Sequence, residues 1–332
     1  MSTQQHTRPN SSNATAGLVG VSILLALALA TYGYRMYTRM RPVFKLTAPD
    51  YLVTVALTCE LVTISLLFRT IQLGVSGYDE YITPANMITI GKLFFGLGLV
   101  GFWASSLARM SIGCMLLYFP VSRAWKVTLV VLIAIQAIMP LGANIFTLLQ
   151  CRPIRAQWEP VPGAVCWSVN VSQIYGYVYA GFGTASDMIF AIMPVHLFWT
   201  LHRPLLERML GIVLMGFGAI ALLASLMKIA HISAWKPREP QFRDWVPLLW
   251  WYRVEEIGLI MAACVPFLKP VMERALQGLG ASRFRFRTIG LRTVKDGDAE
   301  GTSDSRGTTL LAGTTLSSER TKSSGGVTVS QV

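Results

Sequence analysis

Long apolar runs broken by short polar segments dominate this chain. After a polar start at residues 1–15, apolar runs cover roughly 16–37, 49–74, 86–118, 124–149, 172–200, 206–233 and 247–268. Each reaches the ~20 residues an α-helix needs to cross a hydrocarbon core, and several are long enough to tilt. The pattern predicts an all-α fold, a polytopic bundle of seven transmembrane helices. A non-cytoplasmic tail (1–15) would precede the membrane domain (16–275), and a basic juxtamembrane segment with a disordered tail (276–332) would follow it.

The longest polar interruption separates the fourth run from the fifth. Leu148 to Trp167 reads LLQCRPIRAQWEPVPGAVCW, with Cys151 and Cys166 bracketing Trp158 and several prolines. The two cysteines are expected to form a disulfide, which calls for an oxidising compartment; the alternative is two unrelated free thiols. Asn170-Val171-Ser172 is a glycosylation sequon, and so are those beginning at Asn10 and Asn13.

Charge then orients the pattern. The small residues of ALALA, 26–30, resemble a signal-peptide cleavage site, yet only Arg8 lies upstream of the first run. Arg35, Arg39, Arg41 and Lys45 lie at or past its far end. Basic flanks stay cytoplasmic, so the first run reads as a retained helix with its N-terminus outside and, after seven crossings, the C-terminus inside. The remaining loops agree, with Arg123, Lys126, Arg203, Arg208 and a basic cluster from Lys269 to Lys295 on the inner side.

Composition narrows the class. The 332 residues are 53% hydrophobic and 14% charged, and the mean hydropathy of +0.49 fits a membrane protein rather than a soluble one. The net charge of +12 would suggest nucleic acid in a soluble chain. Here it sits beside apolar segments, which points to membrane lipid and excludes a nucleic-acid partner. Ser282 to Arg287 (SRFRFR) reads as an anchor at anionic headgroups. Glycines recur at matching intervals in three runs: Gly91, Gly96 and Gly98; Gly176, Gly181 and Gly183; Gly211, Gly216 and Gly218. Within hydrophobic helices such spacing favours close helix approach over a phosphate loop.

Taken in order, the motifs resemble the fungal rhodopsin-like integral membrane domain over roughly residues 17–275. That family includes the satratoxin-cluster membrane protein and the pathogenesis-type seven-helix receptors. Arg35-x-x-x-Arg39 with Asp50-Tyr51 looks like its R-x-x-x-R…D-D-Y pattern, with Pro49 in place of the first acid. Arg109-Met110-Ser111 and Tyr118 look like its K-x-S…Y motif. Cys151, Arg152, Pro153, Trp158 and Cys166 match its C-R-P…W…C loop. Ser186-Asp187…Pro194 and Glu255…Pro266…Lys269-Pro270 fit its fifth and seventh helices. Pro120 departs from the pattern where an Arg-bearing inner loop is usual. The family name does not imply light sensing: no lysine lies between Val246 and Leu268, so a retinal Schiff base is not expected.

Ionisable side chains inside spans are costly enough to count as functional candidates. Arg69 is set aside because it lies close to a span end and can snorkel. Glu60, Lys92, Arg109, Asp187, Lys228, Arg253, Glu255 and Glu256 remain, and mutual ion pairing is the plain structural alternative. The sharper expectation is a polar, ligand-binding cavity lined by Lys92, Asp187, Lys228, Arg253 and Glu255. The cysteine loop would roof it, and Trp245, Trp250, Trp251 and Tyr252 would form its rim. Asp187, Glu255 and Glu60 are the candidate catalytic acids, since burial suits a carboxyl group to proton donation.

His196, His202 and His231 show no ligand spacing, so no metal is expected, and no cofactor-binding fingerprint appears. Cys59, Cys114 and Cys264 read as buried apolar side chains. Two functions stay open. One is a membrane protein of secondary metabolism acting on or sensing a small lipophilic molecule, which the family resemblance implies. The other is a seven-helix receptor signalling through its cytoplasmic face.

Overall fold

In the computed structural model, residues 14–40, 46–75, 82–118, 122–200, 205–234 and 242–268 are described. They contain seven long helices: α1 (Ala14–Met40), α2 (Ala48–Gln72), α3 (Pro84–Leu117), α4 (Arg123–Leu149), α5 (Val169–Thr200), α6 (Leu205–Ala234) and α7 (Phe242–Cys264). The apolar runs located all seven. The largest shift is in α7, which starts five residues before the expected 247 and gives way to a 3₁₀ turn over Val265–Leu268. Pro266 accounts for that ending, because a proline disfavours α geometry in the residue before it. Among the described residues, five helices are long and apolar enough to cross a membrane: Gly17–Met40, α2, α3, α4 and Gly211–Ser233 of α6. The other two, α5 and α7, also carry buried polar residues, Ser186 and Asp187 on α5 and Arg253, Glu255 and Glu256 on α7.

Local sequence sets the helix boundaries. Thr47 precedes α2, and the Asp50 carboxylate reaches back to accept from both the Thr47 amide (2.9 Å) and its hydroxyl (2.8 Å), which closes the first turn. Gly74 ends α2 with a φ of 98°, a left-handed conformation that only glycine adopts without strain.

The helices pack in the order α2 on α3, α3 on α4, α5 on α6 and α6 on α7, with α1 closing against α7. α3 and α7 also touch each other, and these two helices bring the bundle's polar residues together. The buried core draws Val53, Leu57, Ile112, Leu116, Ile257 and Ile260 from three helices. Outward-facing positions are equally apolar, as Ile23, Val130, Ile138, Ile145 and Leu223 show. Helices that are hydrophobic all round have no water-facing side, which suits surroundings of lipid. Between α4 and α5, β1 (Cys151–Arg152) and β2 (Val165–Cys166) pair antiparallel with Cys151 opposite Cys166.

Candidate functional site

Arg109 on α3 stands at the centre of the bundle's polar interior. Its guanidinium donates twice to Asp187 of α5, Nε to Oδ1 at 2.9 Å and Nη2 to Oδ2 at 3.1 Å. Nη2 also pairs with Glu255 of α7, whose other oxygen pairs with Lys228 of α6. Four helices therefore meet in one ionic chain of two cations and two anions. All four side chains are buried, none more than 5% exposed. Taking so many charges out of water is costly, and the cost is offset only when pairing is close and spare lone pairs are satisfied. The surroundings do this. The Ser225 hydroxyl donates to Asp187 Oδ2 at 3.1 Å, and Lys228 Nζ lies 4.5 Å from the centroid of the Tyr252 ring. Gly183 leaves the guanidinium its room, since a Cβ there would sit 3.3 Å from Arg109 Nη2. Beside Asp187, the Ser186 hydroxyl accepts from Gln136 of α4 at 2.9 Å.

A second cluster occupies the next face of α7. Arg253 donates from Nη1 to Glu60 of α2 at 2.6 Å, and its Nη2 lies 2.7 Å from Glu256 one turn further along its own helix. Thr63 accepts from Arg253 and donates to the Glu60 backbone carbonyl at 2.8 Å. Here one cation faces two carboxyl groups, and Glu60 Oε1 finds no hydrogen-bond donor.

At the far end of the bundle from the disulfide loop, the first family-like motif closes on itself. Arg35 donates through Nε and Nη2 to Asp50 Oδ1 at 2.9 and 2.7 Å, and Arg39 lies 3.4 Å from the other carboxylate oxygen. Arg35 also caps the Ala263 carbonyl at 2.6 Å, one of the last in α7, where helix carbonyls run short of intrahelical donors. Both guanidiniums lie over the Phe267 ring. Ser111 of the Arg109 motif donates to the Pro49 carbonyl at 2.8 Å, which joins α3 to this clasp. These motif residues hold α1, α2, α3 and α7 together.

The disulfide forms between Cys151 and Cys166 and ties the base of a loop folded down onto α3. Trp158 packs edge-on against Phe95, ring centroids 5.3 Å apart. Its approach needs Gly91, where a Cβ would come within 2.7 Å of the Trp158 Cβ. Lys92 lies 3.7 Å from Glu159 of the loop and is 54% exposed. Gln157 donates to the Thr147 carbonyl of α4 at 2.5 Å.

Asp187, Glu255, Lys228 and Arg109 thus come together, Glu60 and Arg253 form the neighbouring cluster, and Lys92 stands apart on the loop contact. Tyr252 lies under Lys228, whereas Trp250 packs on α1, where its ring would meet any side chain at Gly17. Asn170 is exposed in the first turn of α5. Asn10, Asn13, His202, Pro120, Lys269 and the whole of 276–332 lie outside the described residues. Among the described residues, no group of three or more His, Cys, Asp and Glu could hold a metal ion.

Sequence reading named Glu256 among the membrane charges but not among the site residues. It missed Thr63 and Ser225 altogether. The signal for all three is helical spacing: Glu256 follows Arg253 by three residues, Thr63 follows Glu60 by three, and Ser225 precedes Lys228 by three.

Comparison with known proteins adds the family. The fungal rhodopsin domain model matches residues 34–274. A polyenoic acids biosynthesis gene cluster protein of Metarhizium anisopliae is 22% identical over 276 residues, covering 77% of this chain and 73% of the relative. A fugralins biosynthesis cluster protein of Gibberella zeae is 24% identical over 147 residues, 44% of this chain and 35% of that protein.

Proposed function

The chain belongs to the fungal rhodopsin domain family, and from that premise we propose that it is a seven-helix membrane protein of secondary metabolism that acts on or senses a small lipophilic molecule. Both relatives carry biosynthetic clusters in their names, which supports the metabolic setting. The observation that carries the reading is the ionic chain Arg109–Asp187–Glu255–Lys228, buried in a bundle whose outer surface is apolar. Helix packing alone is met more cheaply by apolar side chains, and ionisable groups within membrane helices mark functional sites by default. Asp187, Lys228, Glu255 and Arg253 are the residues a ligand's polar group would meet, with Lys92 at the loop contact.

The proposed topology puts the disulfide loop on the non-cytoplasmic side. A disulfide calls for an oxidising compartment, and Arg35 and Arg39 at the other end of α1 suit the cytoplasmic face. α5 and α7 would cross as inner helices, their charges turned to the bundle and their lipid contact reduced by their neighbours. Asn170 then lies on the side where glycans are attached. Loss of a mobility shift in Asn170→Gln tests that, and a C-terminal tag digested from the non-cytoplasmic side of sealed vesicles contradicts the topology.

Metabolite profiling of a gene-deletion strain tests the function. A lost or altered lipophilic product is expected, restored by the wild type and not by Asp187→Asn at matched membrane levels. An unchanged profile contradicts the reading.

A further inference from the structure

The two clusters on α7 are not equivalent in charge. Around Arg109 and Lys228 stand two carboxylates, Asp187 and Glu255, so cations and anions balance. Around Arg253 stand Glu60 and Glu256, each buried to within 2% of completely. Among the described residues no second cation serves them: Lys228 is taken by Glu255 and the Tyr252 ring, and Arg109 by Asp187 and Glu255. If both acids were ionised, the cluster would hold one unpaired negative charge out of water, and a buried unpaired charge is the costly case.

The hydrogen bonds show the same shortfall. The Glu60 and Glu256 carboxyl groups lie within hydrogen-bonding reach of each other. Two carboxylates have only acceptors to offer each other, and Glu60 Oε1 is buried with no donor. A proton between them removes the excess charge and turns one acceptor into a donor, meeting both deficits at once. Like charges sharing a site resolve in this way when they cannot both ionise.

We propose that Glu60 and Glu256 form a proton-binding site, two carboxyl groups sharing one proton beside Arg253 at neutral pH. Facing groups from the packed helices leave that balance in place. α2 adds Cys59, next to Glu60. α7 adds Tyr252 and Glu255, and α5 adds Tyr179, which faces Tyr252. α6 reaches the region only through Lys228 above that same ring. α3 contributes Gly101, where a Cβ would sit 3.4 Å from Arg253 Nη2 and 3.8 Å from Glu256 Oε1. None of these is a free cation that could replace the proton. The site is independent of the metabolic reading, since it depends only on charge and geometry within the bundle.

Infrared spectroscopy of the full chain in lipid nanodiscs tests the site through the carbonyl stretch of a protonated carboxylic acid. The expected result at neutral pH is a band with the intensity of one acid per chain. Glu60→Gln and Glu256→Gln should each abolish it, because either leaves one carboxylate balanced by Arg253. Asp187→Asn, in the balanced cluster, should leave it intact. Absence of the band from the wild type, or its survival in both glutamine variants, overturns the proposal. If a variant fails to fold, wild-type protein carrying ¹³C-carboxyl glutamate decides: a band that shifts supports the site, and one that does not move overturns it.

Discussion

Glu255 and Glu256 are neighbours in the sequence, equally buried, and have opposite surroundings. One lies between Arg109 and Lys228; the other shares Arg253 with Glu60. A step of one residue turns an α-helix by about 100°, enough to send the two side chains to different sets of helices. The difference teaches that burial alone does not set the worth of a membrane carboxylate. What matters is whether its charge is matched, and α7 carries one matched and one unmatched acid side by side.

The largest effects are expected when either cluster loses its arginine. Arg109→Met leaves Asp187 and Glu255 sharing Lys228, and breaking a buried pair in this way costs about 3–5 kcal/mol. A large drop in the thermal midpoint of purified protein is the readout; a drop of a degree or two contradicts the account. Arg253→Met likewise strands one buried negative charge, that of the acid pair with its single proton, and should cost about 3–5 kcal/mol unless a second proton is taken up. A drop of only a degree or two for Arg253→Met would show that no negative charge remains on the acid pair it faces.

Thr63→Val probes the unmatched cluster alone. It removes the hydroxyl that joins Arg253 to the Glu60 carbonyl while keeping the side-chain shape, at a cost of about 1 kcal/mol, read from the denaturation midpoint. Lys92→Ala sets the floor. The Lys92–Glu159 pair is half exposed, and such pairs contribute at most about 1 kcal/mol. Its removal should barely move the midpoint, and a loss as large as that of Thr63→Val would show that the loop contact had been undervalued.

Much of the scaffold was legible in the hydrophobic pattern. An apolar run of span length has few alternatives to a helix, so α1 to α6 fall within about three residues of expectation. Cys151 and Cys166 were legible because they bracket a single polar loop. The partnerships were not. Asp187 was identified as a candidate acid within the membrane, with Lys92, Arg109, Lys228 and Arg253 all open as partners, because sequence gives approximate depth in the membrane but not rotation about the helix axis. The same limit hid Glu256. Nothing in the order Arg253-Val254-Glu255-Glu256 says which acid turns toward α6 and which toward α2. Lys92 was placed in the cavity on depth alone; the fold turns it to Glu159, because Gly91 beside it lets Trp158 and the loop settle on that end of α3.

The most direct test compares the same chemical change in the two clusters. Asp187→Asn and Glu256→Gln each replace a buried carboxyl group with an amide of similar shape. The account predicts that Asp187→Asn, which leaves two cations facing one acid, loses about 3 kcal/mol, whereas Glu256→Gln, which leaves Arg253 matched to Glu60 alone, loses less than about 1 kcal/mol. Equal losses from the two variants, or a greater loss from Glu256→Gln, would contradict it.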